Sequence, residues 1–332
     1  MGMKKLLIVL LVIGSVAACV ALWAWSRVNE SVNDSDEGVV LFVYPGDSPE
    51  VVRDRLGAPV AWDWLTAAGY GVRTGRYVVE PGESVLQVYR RVRAGAQSPM
   101  RLVVPSVRTM SQMAGRLGRQ LLLDSVVIAE ALADEGVCER LGYSTQTVPA
   151  LFIPNSYEVY WTIGVDELLA RMKREHDAFW TAERRAKAER WGLSELEVST
   201  LASIVESETA DDGEKPMIAG LYYRRLKRGM LLQADPTVIF GIGDFSIRRV
   251  LNRHLAYDSP YNTYIYRGLP PGPIRVPSVV GLEAVLNLVE HDFVYMCAKE
   301  DFSGTHNFAR TAAEHQANAR KYIDALNRRG IK

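Results

Sequence analysis

The apolar residues divide the chain into one continuous apolar segment and a long body in which apolar and polar positions alternate. The segment runs from Leu6 to Trp25 without a charged residue. At about 1.5 Å per residue, a helix of this length spans roughly 30 Å, the thickness of the hydrocarbon core of a bilayer. The pattern therefore predicts a transmembrane helix over residues 6–26, after a cytoplasmic tip of residues 1–5.

The charges on either side of this segment predict its orientation. Lys4 and Lys5 precede it, whereas acidic residues dominate a polar linker at 27–38. Positive charge favours the cytoplasmic side, so we expect a single-pass protein of the inner (cytoplasmic) membrane whose body faces the periplasm or exterior. A cleaved signal peptide, or lipoprotein processing at Cys19, is the alternative, because small residues precede that cysteine. We favour the uncleaved anchor because the apolar run continues past Cys19.

A short unit of strand, turn and capped helix occurs twice in residues 39–100. Val39–Tyr44 and Arg76–Val79 are strand-like, and each is followed by a Pro-Gly-acid-Ser turn and then by apolar residues at helical spacing. The glycine permits the turn, and Ser48 or Ser84 can cap the helix that follows. The pattern predicts a small α+β module over 39–100, although ordinary turns between the strands and helices of an α+β fold would give the same pattern.

The remaining body reads as a connecting region at 101–192 and a larger mixed α+β domain at 193–332, so the predicted fold class is α+β. A third strand is expected from Leu102, and a loop from Gln233 to Pro277 is too long for a plain connector. The periodicity predicts helices at 110–122, 166–191, 194–209, 215–228, 278–289 and 311–328, and a strand at 293–298.

The composition argues against several classes of function. Lys plus Arg and Asp plus Glu both number 39, so no excess of positive charge is available for nucleic acid. Three cysteines without CxxC spacing and histidines without HxxxH pairing argue against a metal site, and no nucleotide-binding or serine-hydrolase motif is present. We therefore expect neither a metal nor a cofactor. Cys138 and Cys297 could pair in an oxidising exterior, but the sequence does not bring them together.

Two glutamates on one helix are candidates for acid/base chemistry. Ser194 and Glu197 form a capping box that fixes the register of this helix. Glu206 and Glu208 then flank its apolar stripe on opposite sides and diverge by about 160°. A carboxyl beside apolar neighbours has a raised pKa, as a general acid at neutral pH requires, although boundary glutamates are commonly just solvated. Because they diverge, the two cannot be the facing carboxylates of a glycosidase.

Two loop segments have unusual composition. Tyr261 to Tyr266 interleaves aromatic rings with amide and hydroxyl groups and leads into a proline-rich tail, which suits a polyhydroxylated ligand. An edge strand with a proline-fixed exit is the alternative. Gln233 to Thr237 resembles an Asx turn before a strand, in which Asp235 only caps the turn.

Five short blocks follow one another in the last 140 residues of the chain. They are Leu201-Ala-Ser-Ile-Val-Glu-Ser-Glu-Thr209, Leu232-Gln-Ala-Asp-Pro-Thr-Val238, Tyr261-Asn-Thr-Tyr264, Gly268-Leu-Pro-Pro-Gly-Pro-Ile274 and His306-Asn-Phe308. In this order they resemble the endolytic murein transglycosylases of the MltG (YceG-like) family. The resemblance extends to the amino-terminal anchor and to a LysM-like glycan-binding module over 39–100, and is less distinct from Gly95 to Gly192.

The resemblance implies cleavage of the β-1,4 bond between N-acetylmuramic acid and N-acetylglucosamine within nascent peptidoglycan strands. The products carry 1,6-anhydro ends, and cleavage would terminate chain elongation near peptidoglycan synthases. One carboxyl suffices if the sugar's own 6-hydroxyl attacks C1. Carried onto this chain, Glu206 is the catalytic acid/base in a transglycosylase domain at 193–332. The implied substrate-binding residues are Glu208, Gln233, Asp235, Tyr261, Asn262, Thr263, Tyr264, His306 and Asn307.

Two other functions stay open at this point. A catalytically silent protein could use the 39–100 module to bind peptidoglycan. A hydrolase using water would need a second carboxylate, for which Asp235 is the nearest candidate.

Overall fold

The computed structural model describes residues 2–67 and 71–330 and has a mixed α+β fold. It divides into two compact units. The first comprises the chain up to Arg101 together with Glu158–Ile163, and the second comprises Leu102–Tyr157 together with the chain from Gly164 onward. The regions predicted at 101–192 and 193–332 therefore both fall mainly within the second unit.

The predicted apolar helix is confirmed as α1, Met3–Val28. None of its residues is fully buried, and most of its apolar side chains are exposed. Of the helices in the described residues, α1 alone has the length and composition to cross a membrane.

The first unit continues with two antiparallel strands and three helices. Its elements are β1 (Val39–Val43), α2 (Pro49–Leu56), α3 (Ala61–Thr66), β2 (Gly75–Val79) and α4 (Val85–Ala94). Val39 pairs with Val79 and Val43 with Gly75. Ser48 and Ser84 accept hydrogen bonds from the first turns of α2 and α4, so both predicted strand–turn–helix units are present. The sequence did not indicate α3, whose Trp62 is fully buried in the core of this unit.

The strands β3 (Met100–Val104) and β4 (Asn155–Val159) pair in a second sheet, and the chain passes between the two units within them. The helices that follow β3 are α5 (Met110–Gly118), α6 (Ser125–Ala133) and α7 (Glu135–Arg140), and a 3₁₀ turn lies at Val148–Leu151.

The helix predicted at 166–191 is instead two helices, α8 (Val165–Phe179) and α9 (Ala182–Trp191). The chain breaks between them because Trp180 turns into the core and Thr181 caps α9 by accepting a hydrogen bond from Arg184 N at 3.3 Å. Charge patterning alone did not reveal this break.

The rest of the second unit is built around α10 (Glu195–Glu208), whose predicted capping box is confirmed. It packs against α11 and α14, and most of its residues are buried. The remaining elements are α11 (Lys215–Lys227), α12 (Asp235–Ile242), α13 (Asn252–Leu255), α14 (Val279–Leu286), the antiparallel pair β5 (Tyr295–Ala298) and β6 (His306–Ala309), and α15 (Ala312–Arg328).

The segment from Gln233 to Thr237 does not lead into a strand, as the Asx-turn interpretation expected. Asp235 begins α12, and Pro236 occupies the first turn of this helix, where its missing N–H costs no hydrogen bond. Residues 261–266 form turns rather than the alternative edge strand.

Candidate functional site

The carboxyl end of α10 opens into a cavity of about 470 Å³ in the second unit. Residues from α10, α11, the segment before α12, the β5–β6 pair and α15 contribute to its wall. Its lining residues include Glu208, Tyr222, Arg225, Gln233, Asp235, Tyr264, Tyr295, Cys297, His306 and His315.

Glu208 is the last residue of α10, and its carboxyl is partly buried in this cavity. The hydroxyl of Tyr222 on α11 donates a hydrogen bond to Glu208 Oε1 at 2.6 Å. Burial and, to a smaller extent, the nearby Asp235 carboxylate raise the pKa of Glu208 to about 7, against the lowering effects of the Tyr222 hydrogen bond and of His306. A large share of Glu208 side chains is therefore protonated at neutral pH.

Asp235 is the second carboxylate of the cavity and lies in an exposed position at the start of α12. The hydroxyl of Tyr264 donates a hydrogen bond to Asp235 Oδ1 at 2.5 Å. Burial and this hydrogen bond both raise the pKa of Tyr264, so the phenol stays protonated and remains a donor. The cavity therefore holds one carboxyl with a raised pKa and one carboxylate that already accepts a hydrogen bond.

Gln233 adopts a left-handed backbone conformation with φ of 55°. This conformation is unfavourable for a residue with a side chain, so neighbouring contacts must hold it. Gln233 N donates to Thr263 O at 3.1 Å, and Ala234 N donates to Thr263 Oγ1 at 3.0 Å. The strained residue thereby stays at the cavity wall.

Four predicted substrate-binding residues, Tyr261, Asn262, Thr263 and Asn307, do not line the cavity. Asn262 and Thr263 are 0% and 2% exposed, and their polar groups bind the chain itself. Asn262 Nδ2 donates to the carbonyl oxygens of Leu255 and Tyr257, which leaves it no hydrogen for a ligand. Tyr261 is turned against Phe240, with ring centroids 4.7 Å apart.

Of the neighbouring residues His306 and Asn307, only His306 lines the cavity. His306 lines the cavity, and Glu214 accepts hydrogen bonds from its backbone N at 2.7 Å and contacts its Nδ1 at 2.8 Å. Asn307 is outside the lining residues and donates to Glu300 Oε2 at 2.7 Å. The cavity thus brings together Glu208, Gln233, Asp235, Tyr264 and His306 of the predicted set.

Glu206 does not line the cavity and is engaged elsewhere. Its Oε2 accepts hydrogen bonds from Lys215 Nζ at 3.2 Å and from Ser278 Oγ at 2.6 Å. Lys215 is only 4% exposed. Gly281 lets α14 approach closely, because a Cβ at that position would lie 2.7 Å from Glu206 Oε2. The two glutamates leave α10 on opposite sides, as the helical pattern predicted.

The sequence reasoning missed the cavity residues contributed by α11, β5 and α15. Tyr222 and Arg225 are one turn apart on α11, which is the only pattern that could have indicated them. Arg225 is buried and donates to Val294 O and to Leu232 O, both at 2.6 Å. The His315 ring stacks on Tyr295 at 5.4 Å between centroids, but nothing in the sequence spacing connects these two residues with Glu208.

The described residues contain no cluster of metal-ligating side chains, and Cys138 and Cys297 are free thiols. Cys297 lies at the cavity wall, whereas Cys138 is buried next to Leu132 O. Apart from the Cys297 thiol, the polar side-chain groups that line this cavity carry oxygen or nitrogen atoms.

The fold is similar to that of a YceG-like protein from Listeria monocytogenes, with a TM-score of 0.59 at 24% identity. This similarity covers 85% of this chain and 99% of the solved chain, and it concerns the fold alone.

Two curated relatives match about half of the chain. The endolytic murein transglycosylase of Bacillus subtilis is 36% identical over 162 residues, which are 49% of this chain and 44% of that protein. The endolytic murein transglycosylase of Streptococcus pneumoniae serotype 2 is 30% identical over 165 residues, 48% of this chain and 29% of that protein. The match therefore covers less than half the length of each of these relatives. The sequence profile of the YceG-like family matches residues 48–321, most of the chain, and this protein therefore belongs to the YceG-like family.

Proposed function

We propose that this protein is an endolytic lytic transglycosylase that cleaves the MurNAc-β-1,4-GlcNAc bond within nascent peptidoglycan strands. The observation that carries the proposal is the Glu208 carboxyl, which has a pKa raised to about 7 and faces a polar cavity. The murein transglycosylases among the relatives support the same substrate.

The reaction needs one group that first gives and then accepts a proton. Protonated Glu208 donates its proton to the leaving glycosidic oxygen as the bond from that oxygen to C1 breaks. The resulting carboxylate then takes the proton of the sugar's 6-hydroxyl as O6 bonds to C1, which closes the 1,6-anhydro ring. The proton returns to the enzyme and no water is consumed, so one residue serves both steps.

We assign the acid/base role to Glu208 rather than to Glu206, which the family resemblance indicated. Glu206 accepts hydrogen bonds from a buried lysine and from the hydroxyl that caps α14, so moving its carboxyl would break both contacts. A general acid must reach the substrate within hydrogen-bond distance, and only Glu208 of the two faces the cavity. Glu206 then holds α10, α11 and α14 together.

The other cavity residues position the glycan in this proposal. The Tyr222 hydroxyl orients Glu208, and the Tyr264–Asp235 pair presents a phenol and a carboxylate to sugar hydroxyl groups. Gln233, in its left-handed conformation, and His306 complete the polar wall. Asn262 and Thr263 support the loop from within and do not contact the substrate.

Hydrolysis with water is the second candidate function, and Asp235 is the observation in its favour. Glu208 and Asp235 together would provide an acid and a base. Mass spectrometry of the products from uncrosslinked glycan separates the functions. Transglycosylase products end in anhydro sugars, lighter by one water than the reducing ends of a hydrolase. Intact strands would instead favour a protein that only binds glycan.

The pH dependence of the reaction should follow the protonation of Glu208. We expect kcat/KM to be level below about pH 7 and to fall about tenfold per pH unit above it, because the free enzyme loses the proton that it must donate. Initial rates of anhydro-end formation between pH 5 and 9 would measure this decrease in kcat/KM. A rate that stays constant up to pH 9 would contradict the assignment.

We further propose that α1 anchors the protein in the cytoplasmic membrane, with residues from Val39 onward outside and close to peptidoglycan synthases. The module at 39–100, which contains both strand–turn–helix units, is proposed as a LysM-like glycan-binding unit. Protease added to the outer face of spheroplasts should digest the body of the protein and leave a membrane-bound fragment containing α1. Protection of the body, or a mature chain beginning at Cys19, would overturn this topology.

A further inference from the structure

A second cavity in the same unit, of about 560 Å³, is strongly cationic. Arg108, Arg116, Arg119 and Arg275 all contribute to its wall, together with serine and glutamine side chains. No acidic residue of the described chain lines it. Arg108, Arg116 and Arg119 are exposed and Arg275 is half-buried, so the cavity presents four guanidinium groups to solvent and favours an anion as its ligand.

The local structure explains how the four arginines meet. Arg108 precedes α5, Arg116 lies in the last turn of α5, and Arg119 is its C-cap residue, so Arg116 and Arg119 share one face of the helix. Arg275 comes from the segment before α14, where its Nη2 donates to Ser106 Oγ at 2.9 Å. The cavity is therefore built from two segments that are far apart in sequence.

Arg275 shows that the charge of this cavity is not balanced within the chain. Its Nε is enclosed and has no hydrogen-bond partner among the described residues. Burial lowers its pKa, and Arg108 lowers it further, against an opposite effect of Glu206. Glu206 Oε2 accepts hydrogen bonds from Lys215 and Ser278, and Glu206 makes no ion pair with Arg275, so it acts on the guanidinium only at longer range.

None of the four cavity arginines makes an ion pair with another described residue. Elsewhere in this unit, Arg184 contacts Glu283 and Arg185 contacts Glu195, both at 2.7 Å. The guanidinium groups of the cavity therefore have no acid of the described chain as a partner.

We infer that this arginine cavity is a binding site for an oxyanion carried by the glycan substrate, remote from the bond that is cleaved. This inference rests on the proposed function. Guanidinium groups bind carboxylate and phosphate oxygens through paired N–H donors. A nascent strand offers such groups on its peptide stems, as carboxylates, and at its lipid-linked end, as a diphosphate.

The site would let the enzyme bind strands that still carry these groups more tightly than strands that lack them. Binding energy from a remote anion positions the chain at Glu208 without taking part in the chemistry. A short chain of contacts connects Arg275 with the helix that carries Glu208. Arg275 lies three residues before Ser278, the cap residue of α14, and Ser278 donates a hydrogen bond to Glu206. Glu206 is two residues before Glu208 on α10. Occupation of the site can therefore steady the helix that presents the acid.

The test measures strand binding by the full-length chain in detergent, with Glu208→Gln in the background so that no substrate is cleaved. Three probes are compared: uncrosslinked strands with peptide stems, strands from which an amidase has removed the stems, and strands still attached to the lipid diphosphate. The amidase leaves one lactyl carboxylate on each N-acetylmuramic acid, so the stripped strands test recognition of the stem carboxylates themselves. Arg116→Glu/Arg119→Glu should weaken binding of the probe that carries the recognised anion roughly tenfold or more, because charge-assisted hydrogen bonds are lost. Arg174→Glu, an exposed arginine on α8, is the matched control.

A second variant tests the same inference if the Arg116→Glu/Arg119→Glu protein does not fold. A Cβ at Gly115 on α5 would meet no other atom within 4 Å, so Gly115→Glu fits sterically and brings an internal carboxylate to the cavity. It should compete with the substrate anion and weaken binding to a similar extent.

The probes identify the source of the anion. A loss confined to stem-bearing strands assigns the cavity to peptide carboxylates, and a loss confined to lipid-linked strands assigns it to the diphosphate. Equal binding of all probes by the wild-type and variant chains would overturn the inference. Because the assay needs no turnover, this failure is distinct from failure of the proposed reaction, which appears as the absence of anhydro products from the wild-type enzyme.

Discussion

Glu208→Gln should reduce the release of anhydro-muropeptides from uncrosslinked glycan by about 10²- to 10⁴-fold or more. The amide keeps the size of the carboxyl and can accept the Tyr222 hydrogen bond, but it has no proton to transfer in either half of the reaction. The loss should appear in kcat more than in KM, because binding contacts are retained. Product quantification by mass spectrometry, on matched amounts of folded protein, measures it.

Glu206→Gln is the matched control, two residues away on the same helix. It should retain activity within about tenfold, because the amide oxygen can still accept from Lys215 and Ser278, although the ion pair is lost. An inactive, folded Glu206→Gln enzyme beside an active Glu208→Gln enzyme would return the acid/base role to Glu206.

The stability of the Glu208→Gln variant provides an independent check on the environment of this residue. The folded chain holds the Glu208 proton up to about pH 7, whereas the ordinary pKa of a glutamate is 4.5. The unfolded chain binds fewer protons between these values, so the wild-type free energy of unfolding falls as the pH rises through this window. Glutamine does not titrate, so the free energy of unfolding of the variant does not fall for this reason. The variant should therefore be more stable than the wild type at pH 8, by up to roughly 3 kcal/mol, but not at pH 4.

Arg225→Met should destabilise the second unit by about 3 kcal/mol or more. Methionine retains the apolar stem but leaves the carbonyl oxygens of Leu231, Leu232 and Val294 without the donor that now serves them. The same guanidinium lies over the Tyr295 ring at 5.4 Å, so the cavity wall should loosen as well. Thermal denaturation of the full-length chain in detergent, followed by circular dichroism, measures the loss.

Arg224→Met, at the adjacent position on α11, is its control. Arg224 contacts Asp292 at 2.7 Å, but the two side chains are 42% and 63% exposed. An exposed pair of this kind contributes at most about 1 kcal/mol, so this variant should remain close to the wild type. Similar losses in both variants would show that Arg225 has no special role in holding the cavity wall.

The sequence by itself determined the local elements that depend on short-range signals. The Ser194–Glu197 capping box and the apolar stripe of α10 predicted the helix and the divergence of Glu206 and Glu208, and both are confirmed. The Pro-Gly-acid-Ser turns likewise predicted capped helices after β1 and β2. These features are set by hydrogen bonds and periodicity within a few residues, which a sequence displays directly.

Only the tertiary structure decided which polar groups face the cavity. The sequence around Asn262 does not show whether its amide binds a sugar or, as the structure has it, the carbonyl oxygens of Leu255 and Tyr257. The helical pattern ranks Glu206 and Glu208 equally, and what separates them is the packing of α11 and α14, which offers Lys215 and Ser278 to one and Tyr222 to the other. The environment of a side chain depends on elements distant in sequence, and burial by those elements is the main cause of the raised pKa of Glu208.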